Sequence, residues 1–477
     1  MLLDHLQDEA VVLIEAASDR VVTAGAIRER AALLGTLPRG LVFLLADASL
    51  EAMTWLHATI EAGFPVALLD AVGDPASVAE VLERYRPDIV IDPGRQRLGL
   101  LQDGPTARDG RALVPGVWYA FEFGPAPHPD LAVLLTTSGS TGSPKFVRLS
   151  RANIRANAEQ IVRSLGITSD DRGLASLPLF YSFGMSILTS HALAASPVVL
   201  PGGSVIEPSF WSDIERCGVT IMPGVPTTYS MLKRLGFERR RLPALRALIQ
   251  AGGRLSVDLI DHFHSVMTSR GGRFFVMYGQ TEASPRISCL PSERLPEKLG
   301  SVGPALSGGV LTIRGADGTD LPAGETGEIH YRGPNVMMGY AESRADLELG
   351  ATHGDVLATG DLGYLDDEGF LFITGRSKRI CKLAGSRVSL DEIEIMALKR
   401  LDTHAQAAAV DADDKVALVL THVDPERAKE LRRKLANQLH VPPNLVRVHV
   451  LDAMPLLPTG KPDYASITQS LKEAARR

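Results

Sequence analysis

Short apolar runs alternate with amphipathic stretches through the first part of the chain. Residues 41–46 and 65–69 are continuous apolar runs of strand length, and residues 50–62 between them repeat apolar positions at helical spacing. Residues 131–135 form a further apolar run, which predicts a buried strand. Strands that alternate with helices are typical of stacked βα units. The pattern therefore predicts an α/β fold for this part of the chain.

A helix is predicted after residue 150. Ser150 can cap its N-terminus, and Gly166 can end it in the left-handed conformation that glycine adopts easily. Between them, the apolar residues fall on one helical face: Ile154, Ala158, Ile161, Val162 and Leu165.

The C-terminal part has a different pattern. A predicted strand at residues 370–373 is followed by a capping-box sequence at 389–392, which opens a helix. A strand at 416–420 and a helix at 425–439 come next, the helix with one apolar face: Ala428, Leu431, Leu435 and Leu439. We therefore predict a large N-terminal domain of stacked βα layers, residues 1–376, and a small α+β C-terminal domain, residues 377–477.

Composition and charge narrow the class of protein. A chain of 477 residues with 45% hydrophobic residues can bury more than one core. The net charge of −6 argues against a nucleic-acid binder, which needs a basic surface. Residues 1–10 are acidic and short of apolar residues, so no signal peptide is expected, and no apolar run reaches the length of a membrane span. A cytoplasmic location is predicted.

The cysteines and histidines predict neither a disulfide framework nor a metal cluster. Cys217, Cys289 and Cys381 are scattered and odd in number. His262 and His264 fall on a predicted helix, where side chains two residues apart face different directions.

A loop rich in glycine and hydroxyl residues follows the predicted strand at 131–135. Glycines permit close approach of the backbone, so that successive N–H groups can point at phosphate oxygens, and Lys145 adds a positive charge. The loop is not a Walker A loop, because Lys145 is spaced differently from the glycines and is followed by Phe146. Taken alone, such a loop is more often a flexible linker.

Four further motifs change that interpretation. They are Tyr278-Gly279-Gln280-Thr281-Glu282, then Thr359-Gly360-Asp361-Leu362-Gly363, then Gly375-Arg376, and finally Leu457-Pro458-Thr459-Gly460-Lys461. With the phosphate loop, these resemble the ordered motifs of the adenylate-forming superfamily. That family contains acyl- and aryl-CoA synthetases, the adenylation domains of peptide synthetases, and beetle luciferases. The resemblance runs from about residue 131 to the C-terminus.

The resemblance implies a two-step reaction. ATP activates a carboxylic acid to an acyl-adenylate and pyrophosphate is released, and the acyl group then passes to a thiol as a thioester. The implied cofactors are ATP and Mg²⁺, and the acceptor is CoA or the phosphopantetheine of a carrier protein. The N-terminal domain is expected to bind ATP and the acid, and the C-terminal domain to act as a mobile lid.

The resemblance also assigns the phosphate-binding and metal-binding residues. Thr281 is expected to contact the α-phosphate, Glu282 to hold Mg²⁺, and Lys145 to add charge at the phosphates. The loop backbone is expected to wrap the phosphates through Thr137, Ser138, Gly139, Ser140, Thr141 and Gly142.

The resemblance also assigns residues that contact the nucleoside and the reacting groups. By resemblance, the ring of Tyr278, next to Gly279, stacks on adenine, and Asp361 and Arg376 contact the ribose. Lys461 matches the catalytic lysine, which grips the carboxylate and the reacting phosphate during adenylation more than in the second step. Outside this motif context, each of these residues would more often be structural or solvated.

Lys378 falls where relatives pivot the lid between the two steps. Many acyl- and aryl-CoA synthetases have lysine there, and peptide-synthetase domains have aspartate, so Lys378 favours the CoA-synthetase side. Its structural alternative is an exposed lysine beside Arg379.

The residues of the acid pocket depart from familiar patterns. Tyr181 stands where amino-acid-activating domains carry an aspartate for the α-ammonium, which disfavours amino acids, and where many CoA synthetases have histidine. The pocket residues implied by resemblance are Tyr181, Phe183, Gly184, Gly224, Gly252, Gly253 and Arg286.

Arg286 stands where relatives that bind hydrocarbon or cinnamate-type acids have an apolar residue. Because a buried unpaired arginine is costly, one hypothesis is that the acid carries a second anionic or polar group. The alternative is that Arg286 points to solvent or to an internal carboxylate.

Other functions remain open at this stage. An acyl-adenylate could pass to an amine, a luciferase-like oxygenase would share the motifs, and a nucleotide-binding homologue could lack catalysis. The sequence ends soon after Lys461 without a carrier attachment motif, so any carrier protein is expected to be a separate partner.

Overall fold

The computed structural model describes residues 2–94, 110–120, 122–136, 145–377, 379–383, 386–401, 405–412, 415–439 and 441–476. Structural statements below concern these residues. Residues 137–144 of the predicted phosphate loop, and Lys378, lie outside them.

The strands are numbered in chain order. They are β1 Val11–Glu15, β2 Arg20–Thr23, β3 Val42–Ala46, β4 Val66–Asp70, β5 Ile89–Ile91, β6 Gly110–Val114, β7 Val117–Ala120, β8 Leu131–Thr136, β9 Phe146–Ser150, β10 Gly173–Leu174, β11 Val198–Leu200, β12 Ile221–Gly224, β13 Ala247–Gln250, β14 Arg273–Gly279, β15 Arg286–Leu290, β16 Val310–Arg314, β17 Gly327–Arg332, β18 Gly339–Ala341, β19 Val356–Leu365, β20 Leu371–Arg376, β21 Ile380–Leu383, β22 Ser386–Ser389, β23 Gln406–Asp411, β24 Val416–Thr421 and β25 Val446–Leu451.

The helices are numbered in the same way. They are α1 Ala24–Leu34, α2 Leu50–Glu61, α3 Pro75–Tyr85, α4 Arg151–Leu165, α5 Ser182–Leu193, α6 Pro208–Arg216, α7 Pro226–Arg234, α8 Val257–Thr268, α9 Leu390–Leu398, α10 Pro425–Gln438 and α11 Tyr464–Arg476.

Two eight-stranded sheets form the body of the N-terminal part, in the orders β15-β14-β13-β12-β10-β11-β1-β2 and β18-β9-β8-β4-β3-β5-β7-β6. One apolar core takes side chains from both sheets and from α1, α2, α4 and α5, so these helices lie between the sheets. Helices α6, α7 and α8 cover the outer face of the first sheet, and α3 covers that of the second. These layers confirm the predicted α/β fold.

The parallel strands of the first sheet place the motif loops together. Strands β10, β12, β13 and β14 are neighbours and run in the same direction. Their carboxyl ends therefore meet at one edge of the sheet, which is where α/β sheets bind ligands. The segments that follow these strands contain Tyr181, Gly252 and Glu282.

Local structure follows the sequence pattern at α4 and departs from it just before. The side chain of Ser150 accepts a hydrogen bond from the backbone N–H of Asn153 (3.0 Å), and Gly166 ends the helix at φ +62°. The pattern did not predict β9, which precedes this helix and pairs antiparallel with β8. The strand was not recognised because Arg148 places a charge in an otherwise apolar run. The structure buries this arginine fully.

The C-terminal part contains an apolar core of its own. Strands β23, β24 and β25 form a sheet with α9 and α10 on one face and α11 on the other. The two clusters on these faces draw only on residues from Cys381 onward. An antiparallel sheet in the order β16-β17-β19-β20 precedes this unit. The predicted elements at 416–420 and 425–439 correspond to β24 and α10, and the boundary after residue 376 stays a prediction.

The described residues contain neither a membrane-spanning helix nor a disulfide bond. In the part of the chain that the structure describes, no helix has the length and apolar character needed to cross a membrane. Cys217, Cys289 and Cys381 are buried with free thiols.

The segment that contains Gly303 joins the first eight-stranded sheet to the four-stranded sheet. Residues 301–306 run between β15 and β20, through bridges from Ser288 to Ala305 and from Gly303 to Leu371. A β-carbon placed at Gly303 would overlap the backbone of Cys289, whereas one at Gly300 would meet no atom within 4 Å.

Both glycines have positive φ, +85° and +89°, so either alanine carries a conformational strain of about 1–2 kcal/mol. We expect Gly303→Ala to lower the apparent melting temperature several degrees more than Gly300→Ala, because only the former also forces two backbones apart. Equal melting temperatures for the two variants would contradict this packing.

Candidate active site

A buried carboxylate links the large sheet to the four-stranded sheet. The hydroxyl of Tyr278, near the end of β14, donates to Asp361 Oδ2 at 2.6 Å. Arg376, which pairs with Asp361 across β19 and β20, donates from Nε to Oδ1 at 3.0 Å. Asp361 is only 6% exposed. These two hydrogen bonds fix the Asp361 carboxylate in place. Because each carboxylate oxygen has two lone pairs, it can still accept hydrogen bonds from other hydroxyl groups.

Tyr278 remains a donor over the physiological pH range. Burial and the neighbouring carboxylate of Asp361 raise the pKa of Tyr278 well above its ordinary value. Its ring therefore has a fixed orientation beside the carboxylate.

A short turn after β14 carries the next motif residues. Thr281–Ala283 form one turn of 3₁₀ helix, and the hydroxyl oxygens of Thr281 and Ser182 lie 3.2 Å apart. Ser182 is the first residue of α5. The carbonyl of Glu282 accepts a hydrogen bond from the backbone N–H of Met337 (2.9 Å), which fixes the main chain there.

Tyr340 connects two predicted site residues that are distant in sequence. Its hydroxyl donates to Glu282 Oε1 at 2.8 Å, and Lys145 Nζ lies 3.8 Å from the centre of its ring. Burial and the Glu282 carboxylate raise the pKa of Tyr340, so the hydroxyl stays protonated. Sequence reasoning missed Tyr340, because an aromatic residue in the three-residue strand β18 gives no signal that distinguishes it from a core residue.

Lys461 enters the same crevice from the C-terminal part. Two hydrogen bonds of 2.8 Å close its turn: the backbone N–H of Leu457 donates to the carbonyl of Lys461, and the N–H of Gly460 donates to the carbonyl of Leu457. Lys461 Nζ lies 5.6 Å from the centre of the Tyr181 ring. A β-carbon at Gly460 would lie 2.9 Å from Thr227 Oγ1 and 3.0 Å from Val225 Cγ2, so the backbone passes close to the segment after β12.

The electrostatic environment of Lys461 lowers its pKa to about 8. Burial is the main cause, and the positive charge of Arg376 adds to it; Asp361 and Glu282 oppose the shift.

Two aromatic rings lie beside Lys461 and Arg286. The rings of Tyr181 and Phe183 pack edge to face with centres 6.3 Å apart, and the guanidinium carbon of Arg286 lies 3.9 Å from the centre of the Phe183 ring. A β-carbon at Gly252 would overlap the Tyr181 hydroxyl. The structure thus brings Tyr181, Phe183, Gly252 and Arg286 together, and their role in binding the acid stays a prediction.

Arg286 is held by its backbone and not by its charge. Its carbonyl accepts hydrogen bonds from Asn157 Nδ2 (3.0 Å) and Asn335 Nδ2 (2.8 Å), and its N–H donates to Asn157 Oδ1 (3.2 Å). The side chain is in a residue only 4% exposed, and Nε has no hydrogen-bond partner among the described residues. Burial lowers the pKa of Arg286 to about 10.

The remaining predicted glycines are explained by local packing. A β-carbon at Gly184 would overlap the carbonyl of Pro178, and one at Gly279 would overlap that of Pro285. The same atom at Gly224 would lie 3.0 Å from the Tyr229 ring, and at Gly253 it would lie 3.1 Å from Pro226. Their roles in ligand binding stay predictions.

The other predicted residues cannot be placed. The loop residues Thr137, Ser138, Gly139, Ser140, Thr141 and Gly142, and the hinge residue Lys378, lie outside the described residues.

The described side chains do not form a metal cage. Within these residues, no group of three or more histidine, cysteine, aspartate or glutamate side chains could hold a metal ion. The Glu282 carboxylate is a hard oxygen ligand, and Mg²⁺ is commonly bound by one or two carboxylates together with substrate phosphates. The site therefore fits Mg²⁺ that arrives with a nucleotide.

Comparison with known proteins gives consistent matches. A family model described as AMP-binding enzyme matches residues 26–341. A 2-succinylbenzoate–CoA ligase of Bacillus velezensis is 36% identical over 268 residues, which are 56% of this chain and 53% of that protein. The alignment therefore spans about half the length of this relative. The 4-coumarate–CoA ligase 5 of Oryza sativa subsp. japonica is 30% identical over 88% of this chain and 80% of its own.

Solved structures match nearly the whole chain. The O-succinylbenzoate coenzyme A synthetase of Bacillus subtilis, in complex with ATP and magnesium ion, superposes with a TM-score of 0.75 and 25% identity. The match covers 96% of this chain and 96% of that one. Such neighbours have a large N-terminal domain and a small C-terminal domain, in agreement with the predicted fold class.

Tyr340→Phe tests whether the tyrosine positions Glu282. The change keeps the ring beneath Lys145 and removes the hydroxyl that fixes the carboxylate. We expect the Mg²⁺ concentration needed for half-maximal thermal stabilisation by ATP to rise about 10-fold, as for other lost partners of metal ligands. The control is Tyr364→Phe, which alters a ring stacked on Phe372 in the four-stranded sheet. Identical Mg²⁺ curves for the two variants would show that the hydroxyl does not act on the metal site.

Proposed function

Because this chain belongs to the family of AMP-binding enzymes, we propose that it activates a carboxylic acid with ATP and transfers the acyl group to CoA as a thioester. The observation that carries the proposal is the hydrogen-bonded set of Tyr278, Asp361 and Arg376, which joins two sheets beside the crevice that Lys461 enters. These residues come from distant parts of the chain and meet where parallel strands end. The names of the CoA-ligase relatives support the same chemistry.

The nucleoside half of ATP fits the Asp361 carboxylate. Its fixed oxygens would accept the two ribose hydroxyls, and Arg376, whose side chain is 59% exposed, can offer further donors. The ring of Tyr278, held by its hydrogen bond to Asp361, would stack on adenine. Thr281, steadied by Ser182, would contact the α-phosphate.

Glu282 would hold Mg²⁺ and Lys145 would meet the phosphates. When bound, Mg²⁺ neutralises negative charge on the phosphate oxygens. The hydroxyl of Tyr340 keeps the Glu282 carboxylate oriented, and its ring keeps the Lys145 ammonium close to that carboxylate before nucleotide arrives. Lys145 can then leave the ring, because a cation–π contact is worth only about 0.5–2 kcal/mol.

The adenylation step brings two anions together. A carboxylate oxygen of the acid attacks the α-phosphorus, a C–O–P linkage forms, and pyrophosphate leaves with the electron pair of the broken P–O bond. Lys461 would lie between the carboxylate and the α-phosphate and offset their repulsion. The crevice supplies this ammonium only while the C-terminal part is docked as in the structure.

The second step requires room for a thiol. We propose that residues 377–477 rotate about the segment containing Lys378 and withdraw Lys461 from the adenylate. The thiol of CoA then attacks the acyl carbon, and AMP leaves. A carrier-protein thiol or an amine could attack the same carbon, and Lys378 favours CoA among these acceptors.

The test is acid-dependent exchange of labelled pyrophosphate into ATP over aliphatic, aromatic and dicarboxylic acids. We expect exchange with one class of acid, and at least about a 100-fold loss in Lys461→Ala, as for other preorganised donors in an active site. Thioester formation from supplied acyl-adenylate and CoA should be retained in that variant. The control is Lys429→Ala, which removes an exposed lysine of α10.

Two results would contradict the proposal. Absence of exchange with every acid while ATP still stabilises the protein would indicate a nucleotide-binding protein without this activity. Transfer to an amine but not to CoA would assign a different acceptor.

The pKa of Lys461 predicts a pH dependence. The ammonium loses its proton as the pH rises through about 8, so kcat/KM for exchange should fall above that pH. Lys461→Arg should remove this limb of the profile, because a guanidinium stays protonated there. The measurement is the pH profile of exchange in both proteins; the same alkaline limb in the variant would assign it to another group.

A further inference from the structure

We propose that the acid carries a second anionic group, a carboxylate or a sulfonate, which forms an ion pair with Arg286 beside Phe183. The inference rests on the proposed function and names its substrate class. The names of the relatives do not tell how many anionic groups the acid carries, because 2-succinylbenzoate bears two carboxylates and 4-coumarate bears one. The choice must come from the pocket itself.

The first argument is the uncompensated charge. Arg286 is 4% exposed, and no described acidic side chain forms an ion pair with it. A buried charge is costly unless it is paired and hydrogen-bonded. The cation–π contact with Phe183 offsets part of this cost, but an aromatic face does not replace the oxygen acceptors that guanidinium N–H groups require.

Arg148 is the other buried arginine among the described residues, and its side chain finds its hydrogen-bond partners within the protein. Arg148 donates to the carbonyls of Tyr340, Leu349 and Gly350 and to the hydroxyl of Thr352, at 2.6–3.2 Å.

Two half-buried arginines have acidic partners. Arg344 pairs with Asp88 at 2.7 Å, and Arg379 pairs with Asp391 and Glu394. The Arg286 guanidinium has no such partner among the described residues, although its backbone is fixed on both sides. An anion from outside the chain would supply the oxygen acceptors that this guanidinium lacks among the described residues.

The position of Arg286 fits the far end of an acid. Lys461 Nζ lies 5.6 Å from the centre of the Tyr181 ring, the centres of the Tyr181 and Phe183 rings are 6.3 Å apart, and the guanidinium carbon of Arg286 lies 3.9 Å from the centre of the Phe183 ring. The two cations therefore lie against different rings of one aromatic pair. A substrate with one anion at each end would place its reacting carboxylate at Lys461 and its second anion at Arg286.

The experiment compares matched acids in the intact protein. Alkanoic acids and α,ω-alkanedioic acids of equal chain length are assayed by pyrophosphate exchange in the wild type, in Arg286→Met and in the control Arg332→Met. The control removes an arginine whose side chain is 66% exposed. We expect the wild type to prefer the diacid of one chain length, and Arg286→Met to lose at least about 10-fold in kcat/KM for that diacid, as for a lost charge-assisted hydrogen bond. The value for the matched monoacid should be equal or higher.

Thermal unfolding separates this role from a structural one. Replacing an unpaired buried charge by an apolar side chain of similar size is expected to leave the melting temperature equal or higher. A lower melting temperature with an unchanged ratio of diacid to monoacid activity would overturn the inference and make Arg286 structural.

Failure of the inference is distinguishable from failure of the proposed function. Exchange with monoacids and a diacid ratio that does not change in Arg286→Met would leave the function standing and reject the second anion. If no acid supports exchange, thermal stabilisation by the diacid in the wild type, lost in Arg286→Met, would still support the anion site. Absence of that stabilisation as well would reject it.

Discussion

The hydrogen-bonded carboxylate of Asp361 is the interaction on which the arrangement of the crevice depends. It receives one hydrogen bond from Tyr278 on the large sheet and another from Arg376 on the next strand of the smaller sheet. The two sheets are thereby fixed relative to each other at the point where the parallel strands end. Its negative charge also opposes the effect of Arg376 on Lys461. The C-terminal part therefore docks against a surface whose charges are already arranged.

Much of the scaffold follows from local sequence signals. Strand β8, the cap of α4 by Ser150 and the amphipathic helix α10 agree with the predicted pattern because burial and capping leave a clear periodic signal. Strand β9 escaped prediction, because its buried Arg148 is satisfied by carbonyls and a hydroxyl that are far away in sequence. A single sequence does not reveal such distant partners.

The candidate site also contains some residues that the sequence identified and others that only the structure revealed. Motifs identified Glu282, Asp361 and Lys461, and the structure holds Asp361 against Tyr278 and Glu282 against Tyr340. Tyr340 could not be found from sequence, because its importance lies in two contacts that join the segments before β9 and after β14. For Arg286, the sequence left a choice between solvent, an internal carboxylate and a ligand; the structure buries it without an acidic partner in the described part of the chain. Burial and pairing are properties of tertiary structure, so this choice required coordinates.

The contact between Tyr181 and Gly252 has a consequence for how this pocket can diversify. The tyrosine hydroxyl occupies the space of the missing β-carbon, and Gly252 also has a φ of +83°, which other residues adopt at a cost. A side chain at position 252 would therefore overlap the Tyr181 hydroxyl and would also strain the backbone. A descendant of this sequence that keeps the backbone can deepen this part of the cavity only by shortening residue 181. In the pocket proposed for the acid, a change of size would then come from codon 181, and Gly252 would remain unchanged.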